Sequence, residues 1–302
     1  LAAVQRVEDR LEGSYAICAV REDDDRIVVA RRGSPLVLGR GDNATFVASD
    51  VTAFLEHTRE VTYLEDGDVA TLEPGSVSVF HNGEPVTREI EQGTWEADAA
   101  EKGGYDHYMR KEIHEQPEAL RQTIAGRLDV DNGTVDLDVS FPPGFLADLE
   151  EIQIVACGTS YYAGRYAAQL FEELAGVRAT VEIASEYEFS AGRAADRTLV
   201  VAVTQSGETA DTLGAVRRAT AAGARTFAVT NTLGSTVTRE VDGTAFIRAG
   251  PEIGVAATKT FASQVATLAM LAVAVGRERG ALAATDARSV LEDLQGLPGA
   301  VQ

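Results

Sequence analysis

The strongest site signal in the sequence is Thr204-Gln205-Ser206-Gly207-Glu208-Thr209. It follows an apolar run, Leu199–Val203, that reads as a strand, and it opens a helix beginning near Glu208. The first N–H groups of a helix have no partner inside it and, together with the helix dipole, form a ready anion site. Gly207 lets the backbone approach a ligand closely. Thr204, Ser206 and Thr209 add hydroxyls, and Gln205 adds an amide. Cys157-Gly158-Thr159-Ser160 repeats the arrangement after a second strand, Ile152–Ala156. Neither loop contains Lys or Arg or ends in the Gly-Lys-Ser/Thr of a P-loop, which argues against a nucleoside triphosphate with magnesium. A single phosphate monoester held by neutral donors fits better. Ser160 and Ser206 could also serve only as helix N-caps, a common role for serine. Two such loops, each on a strand end of one domain, favour the phosphate reading.

Other candidates are weaker. Glu208 lies in a helix's first turn, where the dipole stabilises a carboxylate and makes it a poor base. Cys157 sits where a thiolate would be favoured, but no histidine follows His114 to activate it. It reads as a buried structural thiol. In Glu252–Thr260, small residues permit close backbone contact with a sugar, and Lys259 is one of only three lysines, with Lys102 and Lys111. Lys259 is either a ligand or a structural ion-pair partner. The two cysteines and four histidines show no metal-ligand spacing, so no metal is expected.

The elements that must carry these loops fall into two patterns. Residues 1 to about 95 hold short alternating runs: Tyr15–Val20, Ile27–Ala30, Phe46–Ala48, Val61–Leu64 and Val69–Leu72. There is also a hairpin, Val77–Phe80 and Glu84–Val86, around Asn82-Gly83. One helix is expected there, Asp50–Arg59. Residues 96–125 read as a helical linker with Pro117 near a helix start. From about 150, the strands Ile152–Ala156, Thr180–Ala184, Leu199–Val203, Thr226–Val229 and Ala245–Ile247 alternate with helices Tyr161–Leu174, Thr209–Ala222 and Phe261–Val275. That alternation predicts an α/β fold with a parallel sheet covered on both faces. Such sheets bind ligands at the carboxyl ends of their strands. A last helix, Thr285–Leu294, precedes Gly296-Leu297-Pro298-Gly299. The expected layout is therefore 1–95, 96–125, 126–284 and 285–302, the last read as the start of a linker.

Composition bounds the function. The 302 residues carry a net charge of −20 and basic residues that are mostly arginine. Such a surface strains the compact state by self-repulsion, which salt screens. A high-salt cytoplasm or simply an acidic protein would account for it. Nothing forms a basic stripe, so nucleic-acid binding is not expected. Phe261–Val275 is shorter than the roughly 18–20 residues of a bilayer span and reads as a buried helix. No signal peptide is legible, because Arg6, Glu8, Asp9 and Arg10 interrupt the first apolar residues. Two lone thiols suit a reducing cytoplasm.

Cys157–Ser160, Thr204–Thr212 and Glu252–Lys259 together resemble the sugar isomerase (SIS) domain, in particular the first of two such domains in the glutamine–fructose-6-phosphate aminotransferase, or glucosamine-6-phosphate synthase, family. That family carries Cys-Gly-Thr-Ser, then Ser-Gln-Ser-Gly-Glu-Thr-Ala-Asp-Thr, then Glu-Ile-Gly-Val-Ala-Ser-Thr-Lys. Here Thr204 replaces a serine and keeps the hydroxyl, whereas Ala257 replaces one and loses it. Tyr105–Pro117 resembles the segment joining the family's two halves. Gly13-Ser14-Tyr15-Ala16, Gly33–Leu36, Ala48-Ser49-Asp50 and Leu64–Asp68 resemble the second half of its N-terminal-nucleophile glutaminase domain. The resemblance implies a three-layer α/β/α SIS domain preceded by a mostly β, partial glutaminase region. It implies that Ser160, Thr204, Gln205, Ser206 and Thr209 hold the phosphate of fructose 6-phosphate or glucosamine 6-phosphate, and that Val255 touches the sugar. Gly158, Thr159, Gly207, Ala257 and Lys259 are further candidates. It also implies glutamine as nitrogen donor, a homodimer at full length and no cofactor. Residue 1 is Leu1, and the family's second SIS domain with its acid–base residues is not seen, so no catalytic residue is expected in this chain. Two other readings are a SIS-type isomerase or deaminase without glutaminase, and a non-enzymatic sugar-phosphate sensor. The β-rich region argues against the first and the lack of a helix-turn-helix against the second.

Overall fold

The computed structural model describes residues 1–8, 10–13, 15–49, 51–54, 57–92, 102–188 and 195–302. The chain divides into two compact units, Leu1–Glu101 and Lys102–Gln302. Ser14 and Asp50 of the resembling segments, the expected boundary at 95, and Leu55 and Glu56 of the expected helix over Asp50–Arg59 lie outside the described residues.

The first unit holds α1 (Ala2–Glu8) and strands β1 (Tyr15–Arg21), β2 (Asp24–Arg32), β3 (Val37–Arg40), β4 (Thr45–Ala48), β5 (Glu60–Tyr63), β6 (Asp68–Glu73), β7 (Ser76–His81), β8 (Glu84–Val86) and β9 (Glu91–Gln92). They form antiparallel sheets in the orders β1-β2-β6-β7-β8 and β4-β3-β5-β9. Strand β3 lies between two cores. Leu38 packs with Val29, Leu64 and Leu72, while Val37 packs with Val51, Phe54 and Val61. Period-two alternation puts successive side chains on opposite faces. The β7–β8 hairpin turns through Asn82 (φ 50°) and Gly83 (φ 82°), the positive pair a two-residue type I′ turn needs. The helix expected from Asp50 is, where described, only a 3-10 turn over Val51–Ala53. Thr58 takes the chain into β5: its hydroxyl donates to the Arg40 carbonyl and accepts the Glu60 N–H at 3.1 Å.

Asp68 is fully buried at the start of β6 and accepts from Arg88 (2.8 Å twice), from the Glu65 N–H (2.8 Å) and from His81 (2.9 Å). Burial alone pushes its carboxyl up, but Arg88, the Glu65 N–H and His81 outweigh that and hold it below its ordinary value. A carboxyl depressed in the folded state gives stability that is present above the unfolded pKa, near 4, and lost as pH falls through the folded value. Unit 1 is therefore expected to weaken as pH drops below about 4. Asp68→Asn should be less stable at pH 7 but flatter in acid. Urea unfolding between about pH 2 and 7 checks this; identical acid slopes in both proteins would contradict it.

The second unit holds α2 (Tyr108–Ile124), β10 (Leu128–Asp129), β11 (Thr134–Val135), β12 (Glu151–Ala156), α3 (Gly158–Ala175), β13 (Arg178–Ile183), β14 (Thr198–Val203), α4 (Ala210–Ala221), β15 (Arg225–Thr230), α5 (Thr236–Glu240), β16 (Gly243–Phe246), α6 (Lys259–Glu278) and α7 (Ala284–Val301). The main sheet has the order β13-β12-β14-β15-β16, with every pair parallel. Every residue of β12 and β14 is buried, which explains their mostly apolar, non-alternating sequence. Ile152, Ile154, Leu199, Val201 and Phe227 face α3, α6 and α7, whereas Val155, Val200, Ala202 and Ala228 face α4. The result is three layers, helix, sheet and helix. Gly164 makes the α3–sheet approach possible, since a Cβ there would lie 2.7 Å from Ile154 Cγ2. The chain leaves β12 toward one edge and β14 toward the other, which puts the topological switch point between them.

Three element expectations need correction. Pro117 lies in the middle of α2, and the Ile113 carbonyl that its missing N–H leaves free accepts from Gln116 Nε2 at 3.0 Å. Helix α2, expected within a linker, buries Ala119 and Leu120 in the core of the second unit. The last helix continues past Leu294 to Val301 and through Pro298, burying Ala287, Leu291 and Leu294. Helix α6 is long and apolar enough to cross a membrane, but 78% of its most apolar window is buried in the protein, as in a core helix.

Candidate functional site

Ala156 of β12 lies opposite Val203 of β14. Cys157 and Thr204 therefore leave neighbouring strands at the same level, one strand spacing or about 4.8 Å apart, at the switch point. This register brings the two predicted loops together.

After Ala156 the chain enters α3 from an extended Cys157 (φ −117°, ψ 159°), with no side-chain cap. Ser160 is the third residue of that helix and is buried, so it is not the cap; Gly158 and Thr159 are exposed. The Cys157 thiol is free and half-buried against the Val155 side of the sheet, not fully buried as expected. It lies at the loop mouth, where the strand's packing ends.

After Val203 the turn is built on the Thr204 hydroxyl. Buried Thr204 accepts the Gly207 N–H at 3.2 Å and meets the Thr209 hydroxyl at 3.3 Å. Ser206 Oγ accepts the Glu208 N–H at 3.2 Å. Thr209 is the N-cap residue of α4, again without a side-chain cap bond. The Gln205 carbonyl accepts the Asn231 N–H at 3.1 Å. Gly207 has φ 71°, and its carbonyl accepts the Val237 N–H at 3.0 Å. Glu208 is committed elsewhere: its carboxylate accepts the Thr236 N–H at 2.7 Å, at the start of α5. Two helix starts thus open side by side with their first-turn donors uncapped by side chains, which is suited to an anion. Neither serine is a cap.

The third segment is held by carboxylates. Glu112 of α2, 2% exposed, accepts the N–H groups of Ile253 (2.6 Å) and Gly254 (3.0 Å). Glu252 accepts from the Thr258 N–H at 2.8 Å, the Thr258 hydroxyl at 3.0 Å, and the Thr260 hydroxyl. Lys259, 3% exposed, pairs with Glu115 at 2.6 Å. The ion pair of the second reading is present. Val255 is fully exposed and Ala257 half-buried. Among the described residues no hydrogen bond joins Val255 or Ala257 to the two strand-end loops.

Sequence reasoning missed Asn231, Glu112 and Glu252 as positioning residues. Asn231 bonds the Gln205 carbonyl through its backbone, and through its side chain the Gly250 carbonyl (2.7 Å) and the Ala249 N–H (3.0 Å). It links the phosphate-loop turn to the start of the third segment. Only the density of acidic residues around Glu112 and Glu115 hinted at the others.

Comparison with known proteins bears on the chain as a whole. Residues 145–274 match the SIS domain family. The chain is 59% identical over 303 residues to the glutamine–fructose-6-phosphate aminotransferase [isomerizing] of Halobacterium salinarum, and 44% identical over 305 residues to that of Methanosarcina mazei. The matches take in 100% of this chain but only 50% and 49% of those proteins, so the chain spans about half the length of the curated relatives it matches. The C-terminal domain of glucosamine-fructose-6-phosphate aminotransferase from Francisella tularensis superposes with a TM-score of 0.60 at 37% identity, over 66% of this chain and 56% of that one. Residues 145–274 thus match a SIS domain, and the chain along its whole length is similar to about half of the glutamine–fructose-6-phosphate aminotransferases of these two organisms.

Proposed function

We propose that the chain supplies the sugar-phosphate-binding SIS part of an enzyme that uses glutamine to convert fructose 6-phosphate into glucosamine 6-phosphate. The pair of uncapped helix starts on adjacent strands of a SIS domain carries this reading. The backbone N–H groups of α3 and α4 receive the phosphate, with Ser160, Thr204, Gln205, Ser206 and Thr209 around it. Gly158, Thr159 and Gly207 shape the backbone, and Val255 meets the sugar. Glutamine, a homodimer and a cytoplasmic setting belong to the same proposal for the whole enzyme. The loops themselves are binding elements: Glu208 is engaged by Thr236, and no histidine follows His114.

Calorimetric titration with fructose 6-phosphate and with fructose tests it. Neutral donors at two helix ends predict a Kd on the order of 0.1–1 mM for the phosphorylated sugar, or about −4 to −5.5 kcal/mol. Fructose itself should not bind. Thr209→Ala should weaken binding about fivefold, with the unfolding midpoint little changed. Because the chain carries −20 charges, binding should improve between low and molar KCl. Equal binding of fructose, or steady weakening with salt, would overturn the respective part.

A further inference from the structure

Val255 is the most exposed large hydrophobic among the described residues, yet the backbone on both sides of it is tied down. On one side the buried Glu112 carboxylate receives two successive N–H groups, from Ile253 and Gly254. On the other, Lys259 is drawn to Glu115. Glu112 and Glu115 stand three residues apart on α2, hence on one face of that helix. At the start of α6 it is Glu252, not Glu112, that accepts N–H groups, those of Thr258 and Thr260. Gly254 fits this contact, because a Cβ there would lie 2.4 Å from Glu112 Oε2. Successive N–H groups converging on one anion form a rigid nest. These anchors hold the backbone around Val255 in place while its side chain stays open to a ligand.

We propose that Glu112 is the positioning residue of this loop: its carboxylate fixes the backbone at 253–254 from behind, so that Val255 is presented to the carbon face of the sugar. The inference rests on the sugar-phosphate reading above. Glu112 acts through the loop and touches no ligand itself.

The test compares inorganic phosphate with fructose 6-phosphate on the intact chain and on Glu112→Ala, Glu112→Gln, Gly254→Ala and the Glu112→Ala/Gly254→Ala double variant. Inorganic phosphate uses only the strand-end loops, so its affinity should be unchanged throughout. Fructose 6-phosphate should bind Glu112→Ala about tenfold more weakly, since two part-buried N–H groups lose their acceptor and the loop its anchor. Glu112→Gln keeps one acceptor oxygen and should recover part of that loss. Gly254→Ala should weaken the wild-type background but add little to Glu112→Ala, because the obstructing oxygen is gone. If Glu112→Ala and Glu112→Gln bind the sugar phosphate like wild type, or weaken both ligands equally, the positioning role is overturned. If the folded wild type binds inorganic phosphate but gains nothing from the sugar, the role assigned to Val255 falls, and this inference with it. If it binds neither, the sugar-phosphate reading itself fails.

Discussion

Gly207→Ala is expected to destabilise the second unit by about 2–5 kcal/mol and to abolish sugar-phosphate binding. Two independent terms add. Gly207 sits at φ 71°, where an L side chain is strained, a cost of about 1–2 kcal/mol. Its Cβ would also lie 2.1 Å from Ser235 Oγ, 2.6 Å from Ser235 Cβ and 3.0 Å from Val237 Cγ1. Ser235 cannot easily yield. It is buried at the start of α5, and its hydroxyl donates to the Thr232 carbonyl at 2.9 Å. Forcing carbon into such a contact typically costs a further 1–3 kcal/mol or so. The damage falls on the turn itself, because the Gly207 N–H and carbonyl bond Thr204 and Val237. Urea unfolding reads the loss. Adding Ser235→Gly should relieve the overlap with Ser235 but leave the Val237 contact and the backbone strain, so the double variant should recover only part. A loss below about 0.5 kcal/mol for Gly207→Ala, within the range of an ordinary surface change, would show that α5 moves away freely.

The parts of this architecture that were readable in the sequence share a physical cause. Strands β12 and β14 are buried on both faces, so Leu199–Val203 appears as an unbroken apolar run and Ile152–Ala156 as one interrupted only by Gln153. The β7–β8 hairpin announces itself through Asn82-Gly83, which few other residue pairs could replace. The two ligand loops are legible because each is continuous in sequence and starts at a strand end. What escaped depends on distant partners or on local exceptions. Strand β3 is short and broken by Gly39, whose missing Cβ leaves room for the Phe54 ring. Pro117 reads as a helix start, but a side-chain amide takes up the carbonyl it leaves free. Glu112 meets its partners 141 and 142 residues away, and no periodicity reports such a contact. Asn231 looks like one polar residue after a strand until its three bonds are seen.

Lys259→Met should cost about 2–3 kcal/mol of stability, at or just below the roughly 3–5 kcal/mol for breaking a fully buried ion pair. Lys259 is nearly enclosed, with a side chain 4% exposed, while that of Glu115 is 32% exposed. Losing the lysine leaves Glu115 a second cation, Lys111 at 3.4 Å, and some water, which keeps the penalty below that of a stranded charge. Arginine should not rescue it, although this chain otherwise prefers arginine. The amine meets Glu115 at 2.6 Å from a nearly enclosed side chain, and a longer, planar guanidinium does not reproduce the compact geometry of an ammonium. Because Lys259 anchors the far end of the Val255 loop, Lys259→Met should also weaken fructose 6-phosphate modestly and leave inorganic phosphate untouched. Thermal unfolding with parallel titrations separates the two roles open to this residue. A large drop in sugar-phosphate affinity with an unchanged unfolding midpoint would make Lys259 a ligand. A lowered midpoint with phosphate affinity intact is the result its ion pair predicts.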